Sequence, residues 1–156
     1  MFDIPKLTEF ALLEIEKFSK EHPEETFYAF AIDASLLCLN SLEAFEKSLK
    51  EYSTKWPKQY DTEEKISKLK YNPGDWAYQG FVNFRDLNLE DEEGYRRGPF
   101  DDDLYEEHYG ADDETQKTTE YAKAIGEILE SLKNKDAFRS LKKIPDFKVM
   151  RVEHNY

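Results

Sequence analysis

The sequence predicts an α+β fold in which a mixed, mainly antiparallel sheet packs with helices in a single domain, residues 1–156. Three observations predict this class. Apolar residues recur at helical spacing near both ends of the chain, an aromatic-rich run typical of a central strand lies between them, and helices and strands do not alternate regularly. A doubly wound fold would need that alternation. The length of 156 residues suits one core.

The first predicted helix lies between Pro5, a residue favoured in the first turn of a helix, and Pro23, which stops the helical pattern after His22. Its apolar side chains recur at helical spacing and therefore share one face. They are Leu7, Phe10, Ala11, Ile15 and Phe18. The pattern predicts an amphipathic helix.

Two strands follow this helix. Residues 26–32 are apolar at both alternating positions and rich in aromatics, as expected of a central strand covered on both faces. A short polar break at residues 33–35 leads into residues 36–39, the predicted hairpin partner. The lone cysteine, Cys38, has no partner for an intramolecular disulfide. Its apolar neighbours predict a small buried side chain rather than a nucleophile.

Two helices are predicted after the hairpin. Asn40, followed three residues later by Glu43, has the form of a helix N-cap with its capping partner. The helical stripe then continues through Leu42, Phe45, Leu49 and Tyr52. Asp61 and Glu64 repeat the capping arrangement before a shorter helix that contains Ile66 and Leu69.

A tight turn and a third strand come next. The run Asn-Pro-Gly-Asp at residues 72–75 places Pro73 and Gly74 at the central positions of a type II turn. Residues 76–84 then alternate as a strand does, and Gly80 predicts a bulge or a close backbone approach within it.

The acidic segment, residues 90–114, holds twelve carboxylates against two arginines, so it carries a formal charge of −10 out of −12 for the whole chain. Gly94, Gly98, Pro99 and Gly110 exclude one regular element, and we interpret the segment as a long, loop-like insertion. A short helical turn is expected to be held on the body by Leu104, Tyr105 and Tyr109.

The end of the chain predicts two more helices and a strand. Apolar residues at helical spacing over residues 121–132 predict a helix that ends near Asn134. Asp136 is the predicted cap of a short helix that runs through Phe138 and Leu141. A final strand, residues 147–152, is expected after Pro145.

Several kinds of site are absent from the sequence pattern. The chain has no nucleophile elbow, phosphate-cradling loop or dinucleotide fingerprint. His22, His108 and His154 lie far apart without a second ligand at short spacing, so no zinc site is predicted, and His22 is expected to stabilise a helix end. The acidic runs lack the spacing of a calcium loop. We therefore expect no catalytic residue, no cofactor and no metal.

The acidic segment predicts the kind of partner. A concentrated negative field attracts basic surfaces and repels phosphate and anionic lipid, so we expect a basic protein and no direct contact with nucleic acid or membrane. Tyrosines among carboxylates can accept Lys or Arg by combined stacking and charge pairing. The predicted partner-binding residues are Asp101, Asp102, Asp103, Tyr105, Glu106, Glu107 and Tyr109. Core packing, with interface anchoring as the alternative, is expected of Trp56, Tyr60, Tyr71, Trp76 and Tyr78.

Two runs carry a family resemblance. Phe-Tyr-Ala-Phe-Ala-Ile-Asp at residues 27–33 and Lys-Tyr-Asn-Pro-Gly-Asp-Trp-Ala-Tyr at residues 70–78, after an amphipathic first helix, resemble the bacterial domain of unknown function 4303 family. The late helix and terminal strand also fit, so the likeness covers nearly the whole chain. It implies a small cytoplasmic bacterial protein without an established activity, and some members resemble components of polymorphic-toxin immunity loci. No catalytic motif is carried over.

These observations lead to one main hypothesis and three alternatives. The main hypothesis is a cytoplasmic, non-enzymatic binding protein that acts as an immunity protein against a basic nuclease-type toxin. The alternatives are a nucleic-acid mimic that inhibits a DNA- or RNA-binding protein, a small cation-dependent hydrolase, and acids that serve solubility alone. The first residues lack a secretion signal, and no run reaches the about 20 apolar residues that span a bilayer. The sequence makes no prediction about oligomeric state.

Overall fold

The structure, a computed structural model, describes residues 1–152 and confirms the predicted α+β class. Five α-helices and a four-stranded mixed sheet form the body, and a two-stranded ribbon is attached to it. The helices are α1 (Ile4–Glu21), α2 (Leu42–Lys55), α3 (Glu63–Lys70), α4 (Asp102–Tyr109) and α5 (Glu120–Asn134). The strands are β1 (Phe27–Asp33), β2 (Leu36–Ser41), β3 (Tyr78–Asn83), β4 (Leu89–Glu90), β5 (Arg96–Arg97) and β6 (Lys143–Val152).

The main sheet has the strand order β3-β2-β1-β6. The β1–β2 and β2–β3 pairs are antiparallel, whereas β6 pairs with β1 in parallel. All seven residues of β1 are buried, which confirms the central strand predicted from its unbroken apolar run. The predicted hairpin of β1 with β2 is also confirmed.

Two cores lie on opposite faces of the sheet. Phe30 and Ile32 of β1 face the larger core, where α1 and α5 supply Leu7, Ile15 and Ile125. Tyr28, Ala29 and Ala31 face the smaller core with Phe45, Leu69 and Trp76. Phe27 also joins the larger core, because the register of β1 shifts between Phe27 and Ala29 and interrupts the strict alternation of sides.

The predicted N-cap of α2 is wrong by one residue. Asn40 lies in β2, where its Nδ2 donates to the Tyr28 hydroxyl at 2.9 Å and its Oδ1 accepts from the Ala77 amide at 3.2 Å. Ser41 caps the helix instead, accepting from the Ala44 amide at 3.1 Å. Asn40 is buried, so it needs these partners more than an exposed cap does.

The predicted cap of α3 is also wrong by one residue. Thr62 is the N-cap and accepts from the Lys65 amide at 3.2 Å. Asp61 instead binds the Lys65 ammonium at 2.8 Å. The two acids that follow the cap, Glu63 and Glu64, lie in the first turn, where the helix dipole favours negative charge.

The turn after α3 differs from the predicted type II turn. Residues Pro73–Asp75 form a single 3₁₀ turn, with the Asn72 side chain accepting from the Gly74 amide at 3.2 Å. A type II turn needs a positive φ at its third residue, and Gly74 has none. The hydrogen bond from the Gly74 amide to the Asn72 side chain stabilises the tighter turn instead.

The structure confirms the bulge or close backbone approach predicted at Gly80. Its φ is +64°, a Cβ there would lie 3.1 Å from Leu36 Cδ2, and the β2–β3 register shifts between Leu37 and Leu39. A bulge and a close approach therefore coincide at this residue.

The late elements are confirmed except for one helix. The predicted helix over residues 121–132 is α5, but Asp136 caps no helix, because it adopts a positive φ of 51° in a turn that reverses the chain. The final strand begins at Lys143, so Pro145 lies within it rather than before it. β6 forms an edge of the sheet, where a residue without an N–H is tolerated.

Candidate functional site

The acidic segment is folded, which corrects its interpretation as loop-like. It contains the helix α4 and all of the β4–β5 ribbon except Leu89, and a short 3₁₀ turn at Thr115–Lys117 follows it directly. The segment is still not one regular element, as its glycines and proline predicted. Helix α4 packs against α5, and Arg96 of the ribbon donates to the carbonyls of Arg85 and Asn88, so both parts of the segment are held on the body.

Helix α4 is stabilised by a side-chain cap at its N-terminus and by packing of its inner side against α5. Asp101 is the N-cap and accepts from the Leu104 amide at 3.0 Å. Burial pushes the pKa of Asp101 upward, but hydrogen bonds from the amino group of Met1 and from the Leu104 amide outweigh it and hold the pKa below its usual range. The inner side packs against α5, with the buried His108 ring 4.5 Å from that of Tyr121.

Three of the seven predicted partner-binding residues have roles inside the fold. Asp101 caps α4, and Asp102 binds Arg85 Nε at 2.5 Å. Tyr105 is half-buried, with its ring 5.0 Å from Tyr121 and the Arg85 guanidinium 5.3 Å from its centroid. These contacts fasten α4 to the body, so these three side chains are less available to a partner than the sequence suggested.

The other four predicted residues are exposed. Asp103, Glu106 and Glu107 recur at positions i, i+3 and i+4, so they share the outer side of α4, which we call the acidic face. Among residues 1–152, none of these three carboxylates forms a salt bridge. Tyr109, at the end of the same helix, is 55% exposed.

A cleft joins α4 to the β4–β5 ribbon. Its volume is about 450 Å³, and it is lined on the ribbon side by Tyr95, Arg96 and Arg97 and on the helix side by Asp101, Asp102 and Asp103. Asp103 therefore belongs both to the cleft and to the acidic face. The ribbon was not predicted, because each of its strands has only two residues and shows no alternation.

Comparisons with known proteins identify a family. The family described as Domain of unknown function (DUF4303) matches residues 7–150. The chain belongs to the DUF4303 family. No curated protein matches it, and no solved structure does. The DUF4303 match spans all five α-helices except the first residues of α1, so it includes α4 and the ribbon.

A second group of polar side chains in this DUF4303 chain surrounds Glu25, at the opposite end of β1. The Glu25 carboxylate accepts from Ser41 Oγ at 2.7 Å and from the Tyr78 hydroxyl, and lies 3.2 Å from His22 Nδ1. Burial, and then the hydrogen bond to Glu25, raise the pKa of Tyr78. Glu25 thereby links the ends of α1, β2 and β3. Sequence reasoning missed this role because Ser41 and Tyr78 lie 16 and 53 positions away from Glu25 in sequence.

The cysteine and the possible metal ligands of the chain do not form a second reactive site in the described residues. Cys38 is fully buried, and burial raises the pKa of its thiol to about 12, so it is not a nucleophile at neutral pH. Within residues 1–152, no three His, Cys, Asp or Glu side chains are arranged to hold a metal ion. His154 lies outside the described residues. No helix in the described part is long and apolar enough to cross a membrane.

Five aromatic residues were predicted to pack in the core or, alternatively, to anchor an interface, and the structure places them both in the core and at the surface. Trp76 is buried, and Tyr71 and Tyr78 are half-buried in the two cores. Trp56 is 47% exposed, and its ring lies 5.9 Å from that of Tyr52. Core packing is therefore confirmed for Trp76, and Tyr60, Tyr71 and Tyr78 also pack against the cores as partly buried residues. Trp56 lies at the surface.

Proposed function

We propose that this DUF4303 chain binds a basic protein partner through the acidic face of α4, and that it acts as an immunity protein against a basic nuclease-type toxin. The observation that supports the proposal is the position of Asp103, Glu106 and Glu107. They share one exposed side of a helix and have no intramolecular salt bridge among the described residues. Three unpaired charges on a fixed helix form a directional negative surface.

The charge of the surrounding segment supports the same partner class. A formal charge of −10 over residues 90–114 produces an attractive field for a cationic surface, and such fields raise association rates above those of neutral protein pairs. A nuclease needs a basic surface to hold nucleic-acid phosphates. An acidic face that docks there would block the substrate by occupying the same cations.

The way the acids are held supports binding. Asp102 is paired with Arg85, so α4 is fixed in place while its outer carboxylates remain available. A surface that is already ordered loses little conformational freedom on docking. The side chains that face the body thus position those that face solvent.

Affinity capture from the native host tests this proposal. The baits are the wild-type chain, the variant D103N/E106Q/E107Q, and the control E9Q/E46Q/E130Q, which removes the same charge from exposed positions on three other helices. We expect the wild type and the control to capture a basic nuclease that the α4 variant does not capture.

Two results would point elsewhere. If all three baits captured the same proteins in equal amounts, the acidic face would have no role in binding. If the wild type instead captured many unrelated nucleic-acid-binding proteins, and nucleic acid competed with each, the chain would be a nucleic-acid mimic.

A further inference from the structure

The β4–β5 ribbon is unusually exposed for a folded element. Leu89, Glu90, Arg96 and Arg97, which form its ladder, are all exposed. Leu89 is 75% exposed, and Tyr95 beside the turn is 62% exposed. Large apolar side chains are normally placed at this exposure singly, whereas these two lie on one small ribbon.

The ribbon is nevertheless fastened at its base. The side chain of buried Asn88 donates to the Phe100 carbonyl at 2.9 Å and accepts from the Phe100 amide at 3.2 Å. Arg96 Nη2 donates to the Asn88 carbonyl at 2.9 Å. Gly98 packs so closely that a Cβ there would lie 2.5 Å from Asn88 Oδ1.

The tip of the ribbon is ordered as well. Asp91 Oδ1 accepts from the amides of Glu93 and Tyr95, at 3.0 and 2.9 Å. An isolated two-stranded ribbon is marginally stable in water at best, so these contacts are what keep it folded. The ribbon is thus held rigid although its ladder adds no buried residue to either core.

Both exposed apolar side chains lie on the same side of the ribbon. Leu89 pairs with Arg97 and Asp91 lies opposite Tyr95, so these four side chains share one side. The Arg97 guanidinium lies 6.0 Å from the Tyr95 ring and 3.3 Å from Asp91, so its charge is paired locally. The opposite side carries Arg96, which bonds back to the body.

We propose that the Leu89 and Tyr95 side of the ribbon is a preformed anchor that inserts into an apolar pocket ringed by Lys and Arg on the partner. This inference rests on the proposed function and names the second contact of the same docking surface. Charge complementarity commits the occupant to a basic protein, because residues 90–93 of the ribbon and its turn are four carboxylates against Arg96 and Arg97. Two of these acids, Glu92 and Glu93, are exposed in the turn next to Tyr95. An apolar anchor within a charged rim is the usual arrangement of binding energy at interfaces.

The ribbon anchor and the acidic face of α4 contribute differently to recognition of the partner. The acidic face attracts any cationic surface, since charge acts mainly on encounter, whereas Leu89 and Tyr95 select a surface that also offers an apolar pocket. The cleft lined by Tyr95 and Asp103 places the two contacts side by side. Rigidity of the ribbon favours binding because little ordering is left to be done on docking.

Two synthetic twelve-residue peptides test the inference in fluorescence anisotropy at low ionic strength. The first alternates lysine and glycine and offers charge alone, and the second alternates arginine and leucine and offers charge with apolar contacts. The proteins are the wild type, L89S/Y95S, D103N/E106Q/E107Q, and the control L13S, which removes another apolar side chain of 64% exposure from α1.

We expect L89S/Y95S to weaken binding of the arginine-leucine peptide about tenfold, as loss of two partly buried apolar contacts predicts, and to leave the lysine-glycine peptide unchanged. L13S should match the wild type with both peptides. Equal affinity of L89S/Y95S and the wild type for the arginine-leucine peptide would overturn the anchor. Unchanged binding of both peptides by the α4 variant would overturn the proposed function instead, so the two failures are distinguishable.

Discussion

Gly98→Ala is the substitution for which the structure gives the sharpest stability prediction. The new Cβ would lie 2.5 Å from Asn88 Oδ1, 2.8 Å from Asn88 Cα and 3.1 Å from the Leu87 carbonyl oxygen. Two of these three atoms belong to the backbone and cannot rotate away. The third is the acceptor for the Phe100 amide, so any shift also lengthens that hydrogen bond.

The expected cost follows from this crowding. Added atoms in a packed site destabilise by about 1–3 kcal/mol, and Phe100 transmits the shift because it belongs to the larger core. For a domain of this size, each kcal/mol lowers the melting temperature by about 2–4 °C. Gly98→Ala should therefore melt well below the wild type.

Gly126→Ala is the matched control with the opposite sign. Gly126 lies within α5, and a Cβ there meets nothing within 4 Å. Removal of a glycine from a helix interior should stabilise the protein by about 1 kcal/mol. Urea denaturation followed by circular dichroism measures both variants, and a Gly98→Ala protein as stable as the wild type would refute the packing described for the ribbon base.

Three further predictions concern the smaller core and its edges. Lys70→Met should lower the free energy of unfolding by about 0.5–2 kcal/mol, because Lys70 Nζ lies 5.0 Å from the Tyr28 ring centroid and 5.7 Å from those of Phe45 and Tyr71. The exposed Lys68→Met control should change little in the same urea titration. Because burial raises the Cys38 pKa to about 12, its neutral thiol favours the folded state fully below the unfolded pKa near 9, and this contribution is lost as pH rises from there towards 12. Cys38→Ala should therefore lose less stability than the wild type between pH 9 and 11, and parallel pH profiles would contradict this reasoning. Burial pushes the Glu43 pKa upward, but hydrogen bonds from the Thr26 amide at 2.9 and 3.1 Å lower it overall, so its contribution is present above the ordinary value of 4.5 and is lost as pH falls through the lowered folded value. Glu43→Gln should flatten the acid limb of the stability curve, whereas an unchanged limb would exclude that contribution.

The elements with strong periodicity were predictable. β1 has an unbroken apolar run because both of its faces are covered, and α1 and α5 each bury one stripe. The caps were less predictable, because Asn40 and Asp61 are both good cap residues that the fold uses for other partners. Capping preference is local, whereas the demand of a buried amide for partners is set by tertiary contacts.

The candidate site was predictable in composition but not in shape. Asp103, Glu106 and Glu107 are helical neighbours, yet α4 has only eight residues, and its formation depends on packing of His108 against α5. The anchoring of the ribbon by Asn88 and Phe100 joins residues twelve positions apart through side-chain contacts that leave no sequence period. The sequence therefore predicted the charge of the segment. It did not predict which acids contact the body and which are exposed.

The dependence of association rate on ionic strength is the most direct test of the acidic face. The captured partner is mixed with the wild type, D103N/E106Q/E107Q or E9Q/E46Q/E130Q in stopped-flow experiments from 10 to about 300 mM salt, a range over which screening of exposed charges becomes nearly complete. We predict that the α4 variant associates several-fold more slowly at low salt with a flatter salt dependence, while the control stays close to the wild type. Identical rates and slopes for the α4 variant and the wild type would contradict the proposal that α4 captures a basic partner.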